Sequence, residues 1–159
     1  MNNGIIIIVK KLPIEVQEFI SSNSIATIAT ISKENDYPYV LPVFYVTDNR
    51  FYLYFATHKQ SKKLDNILSH PHIGISITDP TNLISLQLQG TATIAQQNPE
   101  IIQKLITISN AMSEYSMPPI MKINTGIMQV VTFIIHWYRL ARYSEKNALF
   151  IEGTLKNRS

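Results

Sequence analysis

Three lysines, Lys59, Lys62 and Lys63, crowd the start of a short segment running from Thr57 to Pro71. Within it Leu64, Ile67 and Leu68 fall on one face of a helix, and Ser61 stands where an N-cap hydroxyl would accept a first-turn amide. A helix N-terminus carries roughly +0.5 of an elementary charge, so its first turn favours carboxylates and disfavours lysines. Asp65 offsets only part of that conflict. A bound anion would remove it, because amides, hydroxyls and ammonium groups would all point at the same spot. Phosphate is the anion that suits this donor set. The same residues also read as a solvated basic turn.

The remaining chemistry-bearing residues form no comparable constellation. His70 and His72 flank Pro71 without a third ligand at metal-site spacing, and His70 reads as a charge at a helix C-terminus. His136 lies in an apolar run beside Trp137 and reads as a satisfied core or interface histidine rather than a general acid. Ser109 and Ser113 have no base at a supporting spacing, so a serine nucleophile is not supported. Tyr37, Tyr39, Tyr45, Tyr52 and Tyr54 alternate along two segments as if on one sheet face, while Met112, Met117, Met121 and Met128 suit packing or a pocket rim. The chain has no cysteine, which excludes disulfides and thiolate chemistry.

Composition sets the frame for these residues. With 159 residues, 45 % hydrophobic and 16 % charged, the chain suits one domain, 1–159, with a large buried core. The net charge of +3 is dispersed and lacks the aromatic-interleaved basic stripe of a nucleic-acid binder. The run Ile5 to Val9 is too short for a signal-peptide core or a membrane span. A cytoplasmic protein with no nucleic-acid or membrane partner is the expectation.

The elements that must position the lysines follow from periodicity and punctuation. Pro13 to Ser22 predicts a helix with Val16, Phe19 and Ile20 on its apolar face. Ile25 to Ile31 predicts a strand, and Tyr37 to Val46 a second, with Pro42 at a bulge or an edge. Thr47 to Arg50 reads as a hairpin turn before a third strand, Phe51 to Ala56, and the first three strands should pair antiparallel. After the lysine-led helix come strands His72 to Thr78 and Leu83 to Ile94, the latter with a bulge or close backbone approach at Gly90. Asn98 caps a longer helix reaching about Ser113. Ser116 to Asn124 reads as irregular, Thr125 to Trp137 as a strand continued by Tyr138 to Tyr143 after a bend, and Ala148 to Leu155 as a last strand. The class is mainly β with short helices (α+β), about six antiparallel strands in a closed or nearly closed barrel.

Between Phe19 and Ile94 this order resembles the pyridoxamine 5′-phosphate oxidase-like family of FMN-binding split barrels. The likeness rests on Ile25 to Ile31, Pro38 to Tyr45, Tyr54 to Thr57, Ser61-Lys62-Lys63, His70-Pro71-His72 and Gly90-Thr91-Ala92. The resemblance implies a homodimer with FMN at the subunit interface. It lays the backbone of Val40, Leu41, Pro42, Val43 and Tyr45 along the flavin and ribityl chain. Thr57, Ser61, Lys62 and Lys63 would hold the phosphate, with Ala56 and Ser85 in the same cofactor set. The implied activity is that of an FMN-dependent oxidoreductase, moving hydride between flavin and a small molecule, with no catalytic acid or base assigned. Two departures stand out. The family's oxidases often carry a basic residue at each end of the strand matching Val40 to Tyr45, and here none is present. Their basic, tryptophan-containing C-terminus is also not matched by Trp137, Arg139 and Arg142, which argues against the vitamin phosphate as substrate. Haem binding or breakdown, with His136 or His58 on iron, and non-catalytic flavin binding are the alternatives.

Overall fold

The β-branched runs and proline-punctuated turns fold, in a computed structural model, into a curled sheet with three short helices among the described residues, 8–9, 11–113 and 126–156. The strands are β1 (Ile8–Val9), β2 (Ile25–Ile31), β3 (Pro38–Phe44), β4 (Val46–Thr47), β5 (Leu53–His58), β6 (His72–Asp79), β7 (Ile84–Ile94), β8 (Met128–Tyr143) and β9 (Ala148–Leu155). The helices are α1 (Ile14–Ser21), α2 (Lys62–Ser69) and α3 (Pro99–Ser113). The sheet runs β1-β9-β8-β7-β6-β2-β3, with β5 joined to β8 and to β4. This is a split barrel, mainly β, as expected. The irregular stretch anticipated from Ser116 to Asn124, with Met117 and Met121, lies outside the described residues. Among the described residues no helix is long and apolar enough to cross a membrane.

The long strand β8 is the shared spine. One of its edges pairs with β7 from Val131 to Arg142, while its other edge takes β5 along Met128 to Phe133 and β9 along Trp137 to Tyr143. No bend divides it. The irregularity is a register shift between Gln89 and Gly90, which leaves His136 as the extra residue on β8. Gly90 faces the interior here, and a Cβ on it would strike the Ile134 carbonyl and come within 2.8 Å of the Phe133 ring.

The expected three-strand meander forms only in part. β2 and β3 pair antiparallel along their full length, from Ile25 opposite Phe44 to Ile31 opposite Pro38. The chain then turns inward at Tyr45, whose amide donates to the Ser24 carbonyl and whose hydroxyl donates to the Ile20 carbonyl at 2.7 Å. That anchor ends β3, so only Val46 and Thr47 form the hairpin with β5. Pro42 sits, as expected, on an edge strand, since β3 ends the sheet path. No ladder joins β3 to β5, and this gap is the split of the barrel.

The core explains the two-sided burial of β5. Leu53 and Phe55 join the main core with Ile20, Ile28, Ile67 and Phe133. Tyr52 and Tyr54 point the other way and pack under Ile101 and Leu105 of α3. The tyrosines therefore do not share one face: Tyr45 is inside, Tyr52 and Tyr54 lie beneath α3, and Tyr37 is exposed. The parallel strand pair β1–β9, which the sequence pattern did not announce, ends the sheet path opposite β3.

Candidate functional site

The turn from β5 into α2 builds the lysine cluster. Ser61 donates its amide to the His58 carbonyl, and the Gln60 amide donates to His58 Nδ1, so the His58 ring is committed to this turn. Ser61 is the N-cap, accepting from the Leu64 amide at 3.2 Å. Its hydroxyl also meets the buried Thr57 hydroxyl at 2.7 Å. The amides of Lys62 and Lys63 precede the first helical bond, Leu64 N–H to the Ser61 carbonyl, and belong to the donors that a helix end leaves over.

Leu64 and Ile67 anchor α2 in the core, but Leu68, expected on the same face, is 60 % exposed. Asn66 takes the third buried place. Its Nδ2 donates to Thr30 Oγ1 at 3.0 Å, and its Oδ1 accepts from the Lys33 amide at 3.0 Å, tying the helix to the end of β2. Periodicity alone could not find this residue, because an asparagine in a helix is ordinarily solvated. Asn66→Ala should lower stability by about 1–2 kcal/mol, since it removes the donor to buried Thr30, which keeps only the Tyr39 carbonyl, and the acceptor of the part-buried Lys33 amide. Denaturant unfolding reads this directly, and a loss under about 0.5 kcal/mol would make the network dispensable.

The two adjacent lysines have opposite surroundings. Lys62 turns outward, pairs with Glu34 at 3.0 Å and lies 5.9 Å from the Tyr39 ring centre. Lys63 turns inward with its ammonium 5.9 Å from the Phe55 ring centre. It makes no ion pair among the described residues, and burial pushes its pKa down to about 8. A half-buried cation without a counter-ion, at the positive end of a helix, is a standing electrostatic cost that an anion would relieve.

Lys63 opens onto a cleft of about 50 Å³ in the split, lined by Pro42, Val43 and Phe44 of β3, by Ala56, and by Leu105 and Ser109 of α3 with Met128 of β8. The structure thus brings Pro42, Val43, Ala56 and Lys63 together, with Thr57 and Ser61 at the turn beside them. Val40 is exposed further along β3, and Leu41 packs on the core. Tyr45 is not at the cleft: its ring is buried, its amide is bonded to Ser24, and burial raises its phenol pKa well above the ordinary value. Ser85 pairs with Thr78 and Ala141, at the far end of β7 and β8 from the Thr57–Gln129 pair. It does not join the others within one chain. Leu105 and Ser109 were not foreseen at the cleft, because α3 reaches it only through the fold, whereas Met128 stands at a pocket rim as its sequence reading allowed.

Of the other histidines, exposed His72 opens β6. His136 Nε2 meets Thr91 Oγ1 at 2.9 Å beside the bulge, and exposed His70 is the C-cap of α2.

The family model described as pyridoxamine 5′-phosphate oxidase matches residues 12–129. Solved structures with the same fold include a Clostridium acetobutylicum protein related to general stress protein 26 of the pyridoxinephosphate oxidase family. It is 16 % identical with a TM-score of 0.59, over 87 % of this chain and 92 % of that one. A haem-binding protein from Mycobacterium smegmatis is 16 % identical with a TM-score of 0.65, over 88 % of this chain and 58 % of its own. An FAD-binding protein from Mesorhizobium loti is 13 % identical with a TM-score of 0.63, over 84 % and 96 %. At these identities the likeness speaks for the fold. A comparison with curated protein sequences finds no match.

Proposed function

The chain belongs to the pyridoxamine 5′-phosphate oxidase family, and from that premise we propose that it is an FMN-binding, flavin-dependent oxidoreductase acting as a homodimer. The observation that carries this reading is Lys63: a desolvated ammonium with no anion partner among the described residues, beside the Ser61 cap and the Thr57 hydroxyl, at the mouth of the split. The donor set fits a phosphate monoester. Lys63 supplies charge from within the cleft, the Lys62 and Lys63 amides supply hydrogen bonds, and Thr57 holds the Ser61 hydroxyl in place. Lys62 adds only a screened contribution, since Glu34 already pairs with it at the surface.

A bound flavin would supply hydride chemistry; the protein's part is to bind, orient and exclude water. The edge of β3 offers backbone groups without a ladder partner toward the split, and Phe44, Leu105 and Met128 give it apolar walls. At about 50 Å³ the cleft of one chain is far below the roughly 300 Å³ at which ligand sites begin. A second copy completing the far wall is therefore part of the proposal, and such a copy is also how Ser85 would reach a shared site. Exposed Tyr37 and Val40, on and beside β3, are apolar surface that a partner would cover.

The test is a spectrum and a titration. The purified protein reconstituted with FMN should show bound-flavin bands, bind FMN at least about tenfold more tightly than riboflavin, and run as a dimer by light scattering. Equal affinity for the two flavins would remove the phosphate role of α2. A Soret band in place of flavin bands would favour the haem reading.

A further inference from the structure

A second chamber lies on the other side of α3's inner edge. It holds about 190 Å³ and shares Leu105 and Met128 with the Lys63 cleft, so the two spaces adjoin. Its floor is apolar: Ile101, Ile102 and Leu105 of α3 face Met128 and Val130 of β8. Its rim is polar, with Gln96, Gln97 and Asn98 from the loop before α3 and Gln129 from β8. Among the lining residues the single charged side chain is Lys59, which makes no ion pair among the described residues. The start of α3, capped by Asn98 Oδ1 on the Glu100 and Ile101 amides, adds its positive end to the same rim.

Size and chemistry together select an occupant. An aliphatic cavity of about 150 Å³ accepts one benzene ring, so this chamber takes one six-membered ring with a small substituent and is too small for a tricyclic flavin. The apolar floor suits a ring face, the amides suit a heteroatom, and the net positive rim suits one carboxylate. We propose that this chamber binds a monocyclic aromatic or heteroaromatic carboxylate, with the ring against Ile102 and Val130 and the carboxylate at Lys59. On the flavin reading, and resting on it, the chamber is the substrate site beside the Lys63 cleft.

The probes are benzoate and nicotinate, with benzamide as the uncharged control, titrated into the flavin-free full chain and followed by amide chemical shifts. Saturable benzoate binding is expected, with the largest shifts at Ala95, Ile102 and Val130. Lys59→Met should weaken benzoate about fivefold or more and leave benzamide unchanged. Ile102→Trp should fill the chamber and abolish both. The wild-type shift map does not depend on that variant folding. Absence of saturable binding by both acids, shifts confined to other surfaces, or benzoate binding unaffected by Lys59→Met would overturn the proposal. The flavin titration is separate, so loss of FMN binding with benzoate binding intact would strike the flavin reading alone.

Discussion

Replacing Lys63 by methionine should weaken FMN binding roughly tenfold to a hundredfold and, at the same time, make the flavin-free protein more stable at pH 7. Both effects come from one desolvated ammonium. With phosphate bound, a charge-assisted contact worth about 1.5–3 kcal/mol is lost, at about 1.4 kcal/mol per factor of ten. Without phosphate, the half-buried charge has no ion-pair partner among the described residues, and its pKa is lowered to about 8 by burial. A folded-state pKa below the unfolded value means that the unfolded chain holds more protons between about pH 8 and 10.5, so stability rises with pH across that window. The penalty is fully present below pH 8 and amounts to at most about 3 kcal/mol. Methionine keeps the apolar stem and removes the penalty, so wild type and variant should converge in stability toward pH 10.5. Phosphate should restore the ordinary lysine pKa. FMN binding by the wild type should therefore take up a proton near pH 9, readable by calorimetry in buffers of different ionisation enthalpy. A variant that binds FMN as wild type does would show that Lys63 does not face the phosphate, and one that is less stable at pH 7 would show that its ammonium carries no net burial penalty.

Gly90→Ala should be the most damaging single-methyl change in the sheet. The added Cβ would meet the Ile134 carbonyl carbon at 2.9 Å and the Phe133 ring at 2.8 Å, both from β8. Backbone cannot move aside as a flexible side chain does, and the β7–β8 ladder runs through this point. A loss of about 3 kcal/mol or more is expected, beyond ordinary overpacking. For a chain of this length that lowers the melting temperature by about 10 °C. Gly74→Ala is the matched control: its new Cβ meets nothing closer than the Leu88 carbonyl at 3.9 Å, and the change should stay within about 0.5 kcal/mol. Similar destabilisation by both would mean that glycine at position 90 is not a steric requirement.

The local elements were written in the chain's own periodicity. β-branched runs gave β2 and β6, Ser61 and Asn98 gave the starts of α2 and α3, and Gly90 announced a bulge or a close approach where the fold has both. The lysine-led helix end could be read as an anion site because a helix dipole conflicts with Lys62 and Lys63 whatever surrounds them. Partners distant in the chain were not readable. β5 pairs mainly with β8 rather than β3, because the Tyr45 anchor pulls the chain inward and ends β3, and nothing near Phe51 in sequence signals that event. The same reason applies within the site. From sequence, Lys62 and Lys63 are equivalent first-turn cations, and glutamate at both positions should suit the empty helix. In the fold Glu34 stands beside Lys62, and Phe55 lies beneath Lys63. Glutamates there would crowd one carboxylate against Glu34 and bury another. Helix phase and charge follow from neighbours in the chain, whereas desolvation follows from neighbours in space. Only the tertiary structure made one lysine a surface ion pair and the other the cation of the cleft.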